Sequence, residues 1–208
     1  LHGNTSPTPP PLKECIAELS RFVTQPWANF FNFFWNYAKP RWVDINIGSV
    51  ALTLAASNQP ALIKIASTDI LSYGLQGTSG IDELHGGFEI IHEYQEGTDI
   101  YPHIHWYPST TGAGNVIFNL DYAIMQTGGN IYGTGSVTTA APGVAWQPMF
   151  SEFPVIVGTT IKIGAQMHIR LWRNASATGD TYAGVAVLGT VGDHVLSDYP
   201  GSLQKTSK

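Results

Sequence analysis

Between Ile161 and Leu171 the chain alternates. Ile161, Ile163, Ala165, Met167, Ile169 and Leu171 fall in one register, and Lys162, Gln166, His168 and Arg170 in the other. Successive side chains of a β-strand point to opposite faces, so a period of two sets an apolar face against a polar one. A helix would scatter the same residues around its axis. The stretch Asn115 to Gln126 repeats the pattern, with Val116, Phe118, Leu120, Tyr122 and Ile124 inward. Similar segments occupy 42–47, 50–54, 61–66, 88–94, 101–107, 131–139, 144–152 and 182–190, bounded by Gly, Ser, Asn or Pro. Residues 74–87, with Gly74, Gly77, Gly80, Gly86 and Gly87, read as a long loop. Roughly eight to ten short strands with no helix between them predict an all-β fold. The expected architecture is an antiparallel β-sandwich or jelly roll over residues 41–208.

The chain ahead of this region has a different character. Residues 1–11 carry Pro7, Pro9, Pro10 and Pro11 without apolar periodicity, which predicts an extended, polyproline-like tail. Residues 12–40 read as a helical segment. Leu12, Ile16, Leu19 and Val23 recur at helical spacing, Gln25-Pro26 interrupts, and Trp27, Phe30, Phe31, Phe34 and Trp35 resume the pattern. Lys39-Pro40 ends it. A short helix this aromatic must cover its apolar face. Either it packs on its own β domain, or it serves as an oligomerisation or particle anchor through Leu19, Val23, Trp27, Phe30, Phe31, Phe34 and Trp35.

Composition narrows the function. Charged residues make up 12% of the chain, against ~25% in a typical soluble domain. Such a neutral, polar surface suits a chain covered by partners in an assembly. A formal net charge of -5 and the lack of any Lys/Arg run disfavour nucleic-acid binding. The most apolar run, Trp27 to Trp35, contains Asn29 and Asn32 and is too short to span a bilayer. Cys15 is the single cysteine, so neither an internal disulfide nor a Cys/His zinc pattern is expected. The first residues, from Leu1, lack the basic-then-apolar pattern of a secretory signal.

The segment Gly97-Thr-Asp-Ile-Tyr-Pro-His103-Ile-His105-Trp106 holds the main candidate for chemistry. Alternation puts His103, His105 and Tyr107 on one face and Ile104 and Trp106 on the core side. Gly97, five residues and then His-x-His match the opening of the first cupin motif. The acidic cupin ligand should follow three or four residues later, where Ser109 and Thr110 stand. A third ligand could come from His168 or His194. Alternatively, His-x-His pairs from three chains could surround an ion on a threefold axis, six imidazoles suiting an octahedral metal. The plainest reading is hydrogen bonding to a neighbouring strand or interface. Glu89, Glu93 and Glu96 read as solvated, no Gly-x-Ser-x-Gly elbow occurs, and Trp106, Trp146 and Trp172 read as core.

Taken in order, HEYQEGTDIYPHIHWYP, the NVIFNLDYAI strand, RLWRN, DTYAGVAVLGTVGDH and the terminal GSLQKTSK resemble an uncharacterised family of tailed-bacteriophage virion-associated proteins. The matching positions are Gly97-Thr98, Pro102 to Trp106, Arg170 and Arg173, Asp180-Thr181-Tyr182, Gly201-Ser202 and Lys208, within residues 85–208. Val195 stands where that pattern has an aromatic. The resemblance implies a virion component with a β-sandwich, and no catalytic residues. By analogy with low-charge sandwiches on such particles, a homotrimer is expected. The resulting expectation is a non-enzymatic structural protein on the phage particle surface. It would attach to capsid or tail as a decoration, fibre or collar component and need no cofactor beyond the threefold ion the histidines could hold. The alternatives are a carbohydrate- or receptor-binding module of the tail and a cupin-like metal-dependent enzyme.

Overall fold

The computed structural model describes residues 25–37 and 39–198. The expected Pro-rich tail, the Leu12–Val23 helical pattern and the Gly-Ser…Lys terminus lie outside the described residues, as do Leu19 and Val23 themselves. The chain divides into two compact units, Leu1–Lys39 and Pro40–Lys208.

In the first unit, helix α1 (Gln25–Tyr37) places Pro26 in its first turn, where the missing N–H has no partner to lose. Rings one turn apart meet: Trp27 and Phe31 at 6.2 Å between centroids, Phe30 and Phe34 at 6.3 Å. Trp27, Phe30, Phe31, Phe33 and Phe34 are exposed, and Trp35 is half-buried.

The second unit is the expected antiparallel sandwich. Its strands are β1 (Arg41–Gly48), β2 (Thr53–Leu54), β3 (Ala61–Lys64), β4 (Leu71–Leu75), β5 (Ile81–Glu89), β6 (Ile100–Pro108), β7 (Ala113–Met125), β8 (Ile131–Pro142), β9 (Met149–Glu152), β10 (Gln166–Asn174) and β11 (Ala186–Ser197). One sheet runs β2-β5-β10-β7-β8. The other runs β3-β4-β11-β6-β9, with β1 also on β11. Because β4 pairs only with Ala186 and Val187, β1 occupies the rest of that edge, from Thr190 to Ser197. Val116, Phe118, Leu120 and Ile124 of one sheet and Ile104, Trp106, Leu188, Val191 and Val195 of the other form one buried core. Trp106 meets Phe118 edge-on at 5.3 Å across the sandwich. A fully buried aromatic or branched aliphatic side chain contributes about 1.5–3 kcal/mol by leaving water.

Several strand limits differ from expectation, for stated reasons. Residues 74–87 are not a loop, since β4 ends and β5 begins within them. The glycines there serve close packing: a Cβ at Gly86 would lie 2.5 Å from Leu52 Cδ2. In 144–152 only Met149–Glu152 is strand, because Gly143 and Trp146 take positive φ angles and bend the chain. Strand β5 stops at Glu89, and the chain turns at residues 92–93 before Tyr94 bridges to Ser197. Ile161, Ile163 and Ala165 are buried as expected, yet Gly164 (φ 70) keeps them in a turn before β10. The final strand extends seven residues past the expected end at Thr190, as far as Ser197.

Candidate functional site

That extension builds the site. On the outer face of the sheet, His194 lies in register with Asp44 of β1 on one side and Tyr101 of β6 on the other. Gly192, one pleat along, lies between Asn46 and His103, and His103 pairs in turn with Glu152 of β9. Period-two alternation therefore gathers Trp42, Asp44, Tyr101, His103, His105, Phe150, Glu152 and His194 on one face. A Cβ at Gly192 would lie 2.3 Å from Asn46 Oδ1, so the glycine leaves that room to Asn46.

His103 is completely buried, with 0% of its surface exposed. Its ring stacks on His194 at 4.1 Å and 17°. Phe150 covers it at 5.2 Å, and His105 meets it edge-on at the same distance. Nδ1 lies 3.4 Å from the Tyr101 carbonyl oxygen. The Tyr101 carbonyl and the Asp44 carboxylate can only accept, so a neutral His103 has one ring proton to serve two acceptors. Nε2 is buried without a hydrogen-bond partner and lies 3.5 Å from Asp44 Oδ1. His194 Nε2 faces the other oxygen, Asp44 Oδ2, at 3.7 Å. The three side chains offer ligand atoms all within 4.8 Å of one another. Burial lowers the His103 pKa, and His194 lowers it further, against the upward pull of Asp44 and the Tyr101 carbonyl.

Beside this cluster is an open pocket of about 490 Å³ lined by Trp42, Tyr101, Glu152 and His194. Trp42 is 60% exposed and meets Tyr101 edge-on at 5.3 Å. A second pocket, about 390 Å³, opens on the far side of His105, between Ser49, Ser72, Tyr107 and Thr190.

The His-x-His pair shares a face as expected but divides its roles. His103 turns toward Asp44 and His194, and His105 borders the second pocket. The six-imidazole arrangement would require His103, fully buried in the single chain, to turn outward. His168 lies on β10, in the other sheet. Among the described residues the carboxylate grouped with His103 and His194 is that of Asp44 on β1, not one following His105. Trp106 is core and donates to Ser151 Oγ at 3.0 Å. Trp172 and Trp146 are only half-buried, correcting the expectation for both, and Trp172 lies under Arg170 at 5.0 Å. Glu96 holds Lys162 Nζ at 2.8 Å and the Ile163 N–H at 3.1 Å, a structural role, while Glu93 is exposed.

The Arg and Asp-Thr-Tyr motif residues form a buried clamp. Arg173 donates to both Asp180 oxygens (2.9 and 2.7 Å) and to the carbonyls of Leu75, Gly184 and Tyr182. All five of its N–H groups are thereby satisfied. Arg170 pairs with Glu83 and Asp121 on the outer face of the other sheet. These groups hold the fold and line neither pocket. Sequence reasoning missed Trp42, Asp44 and Glu152. The signal for Trp42 was present: it falls in the polar register of Trp42-Val-Asp-Ile-Asn-Ile47, so its ring had to point outward.

No protein-family model and no curated protein matches the chain. Among solved structures, CBM35 from Cellvibrio japonicus Abf62 matches at 8% identity and a TM-score of 0.42, over 80% of this chain and 99% of that one. The CBM22-2 xylan-binding domain from Paenibacillus barcinonensis Xyn10C matches at 12% identity and 0.38, over 69% and 91%. The mannan-recognising module TmCBM27 matches at 14% and 0.36, over 74% and 98%. At these values the likeness is one of β-sandwich architecture and says nothing about ligand.

Proposed function

We propose that this chain is a non-enzymatic, saccharide-binding β-sandwich on the surface of a tailed-phage particle. The observation that carries the binding half is the open pocket with Trp42 exposed and Tyr101 half-buried beside Glu152 and His194. An exposed indole offers an apolar face to the C–H face of a sugar ring, while a carboxylate and an imidazole bond its hydroxyls. Glycoside hydrolysis needs two carboxyl groups flanking the bond. Among the described residues the pocket lining provides one, Glu152. The particle half rests on the motif resemblance, with α1 as the anchor and three copies raising avidity for a cell surface. Among the described residues no helix is long and apolar enough to cross a membrane.

A glycan array probed with the full chain tests the binding half. We expect retention on a restricted set of glycans. For a glycan so found, Trp42→Ala should weaken binding at least tenfold, since truncating a central aromatic contact costs about 2 kcal/mol or more. The variant should melt like the native chain, because the side chain is mostly in solvent. No glycan retained, or full affinity in the variant, would overturn the reading.

A further inference from the structure

Asp44, His103 and His194 present an electrostatic problem that hydrogen bonding does not solve. A neutral His103 has one ring proton for two acceptors, the Tyr101 carbonyl and Asp44, and with that proton on Nδ1 the buried, unpartnered Nε2 lone pair points at an electron-rich carboxylate. Two acceptors 3.5 Å apart repel unless a positive charge lies between them. A proton would make an imidazolium of a fully buried ring stacked 4.1 Å from a second histidine. A metal ion fills the same place and also engages His194.

We propose that Asp44, His103 and His194 form an intrachain site for one divalent transition-metal ion of the zinc class. The chemistry selects the class: two imidazole nitrogens and one carboxylate oxygen suit zinc, cobalt or nickel, whereas calcium and magnesium take oxygen ligands. The geometry agrees. Metal–ligand bonds of about 2.0–2.1 Å in a tetrahedron place neighbouring donors about 3.3–3.4 Å apart. His103 Nε2 lies 3.5 Å from Asp44 Oδ1 and His194 Nε2 3.7 Å from Asp44 Oδ2, with all ligand atoms within 4.8 Å, so the half-exposed His194 ring turns out of its stack with His103 to complete the site. The Nδ1–H to carbonyl contact is the outer-shell support that fixes a ligating histidine's tautomer. Three protein ligands leave a fourth position open, on the side of the pocket that His194 also lines. The site does not depend on the saccharide reading, because metal and glycan binding are measured separately.

The test uses the tag-free chain, residues 1–208, stripped with EDTA and titrated with Co²⁺, which reports nitrogen/oxygen ligation by its visible spectrum. Zn²⁺ retained after dialysis is counted by mass spectrometry. The expected result is one ion per chain, with Co²⁺ affinity weakened at least tenfold in Asp44→Asn and in His194→Gln. Both side chains are partly exposed (41% and 33%), so both variants should fold, which melting in EDTA verifies. His85→Gln and His92→Gln remove the histidines of two other His–Glu pairs and should leave binding unchanged. Binding unaffected by Asp44→Asn and His194→Gln, or no bound metal, would overturn the proposal. One ion per three chains would overturn it in favour of an ion shared between copies.

Discussion

Replacing Asp193 with asparagine should remove a pH dependence that the native chain carries. The Asp193 side chain is buried on the core side of β11, in register with Ile45 and Pro102, and its Oδ2 has no hydrogen-bond partner. Burial, followed by the nearby Asp44 charge, pushes its pKa from 3.8 up to about 8. The folded pKa therefore exceeds the unfolded one. Stability from this group is full below the unfolded value and is lost as pH rises toward the folded value, by about 1.4 kcal/mol per pH unit. Between about pH 5 and pH 8 the loss sums to roughly 4 kcal/mol. Asparagine cannot ionise, and any packing cost it brings is the same at every pH. The stability difference between variant and native chain should thus move by roughly 4 kcal/mol in the variant's favour over that range. His103, with its lowered pKa, acts oppositely by losing stability as pH falls, but it is common to both chains and cancels. Urea unfolding of the full chain in EDTA at the two pH values measures the double difference. A change below about 1 kcal/mol would refute the claim that Asp193 is held in its neutral form.

The Arg173 clamp and the aromatic helix give two further expectations. Arg173→Met strands the buried Asp180 carboxylate and three backbone carbonyls, and should destabilise by about 3–5 kcal/mol. Thermal unfolding should register this as a drop of roughly 10 °C or more, and Arg173→Met with Asp180→Leu should recover part of it; a single-variant loss under about 1 kcal/mol would show the clamp to be incidental. Trp27→Ala with Phe31→Ala should abolish incorporation into phage particles while leaving the melting of the β unit unchanged. Normal incorporation, scored by mass spectrometry of purified particles, would remove α1 as the anchor.

Much of the fold was legible because alternation is a local property. The buried registers of Ile161–Leu171 and Val116–Ile124 follow from side-chain direction alone, and so does the outward ring of Trp42. The loop expected over 74–87 failed because glycine has two uses that look identical in sequence. There, Gly80 takes a positive φ in a turn, whereas Gly86 sits in a strand where Leu52 leaves no room for a Cβ. The end of β11 was hidden for a related reason. Gly192 lets β1 approach, since its Cβ would lie 2.3 Å from the Ile45 carbonyl oxygen, and a register shift between Leu188 and Thr190 breaks the apolar rhythm. Asp193, a charged residue on the core face, completed the disguise. The His-x-His face was legible, but its partner carboxylate was not, because the pairing of β1 with β11 joins distant parts of the chain.

The polar atoms that this fold leaves unpaired are not scattered. Among the described residues, the buried side-chain atoms without hydrogen-bond partners are Gln95 Oε1, His103 Nε2 and Asp193 Oδ2. All three belong to residues at the C-terminal half of β11 or its direct neighbours. Asp193 is on the strand, His103 pairs with Gly192, and the Gln95 N–H bonds the Leu196 carbonyl. An unpaired buried polar group costs about 1–3 kcal/mol, and an apolar residue at any of these places would avoid it. The rest of the chain satisfies even a fully buried arginine, so the sequence is capable of pairing its polar atoms. His103 and Asp193 lie where β1, β11 and β6 run side by side, next to the pocket that His194 lines, so the cost falls where the proposed sites would use it. The Asp44–His103–His194 cluster accounts for the outward-facing member of the three. Filling it with a metal should therefore raise the melting temperature of the native chain and leave that of Asp44→Asn unchanged.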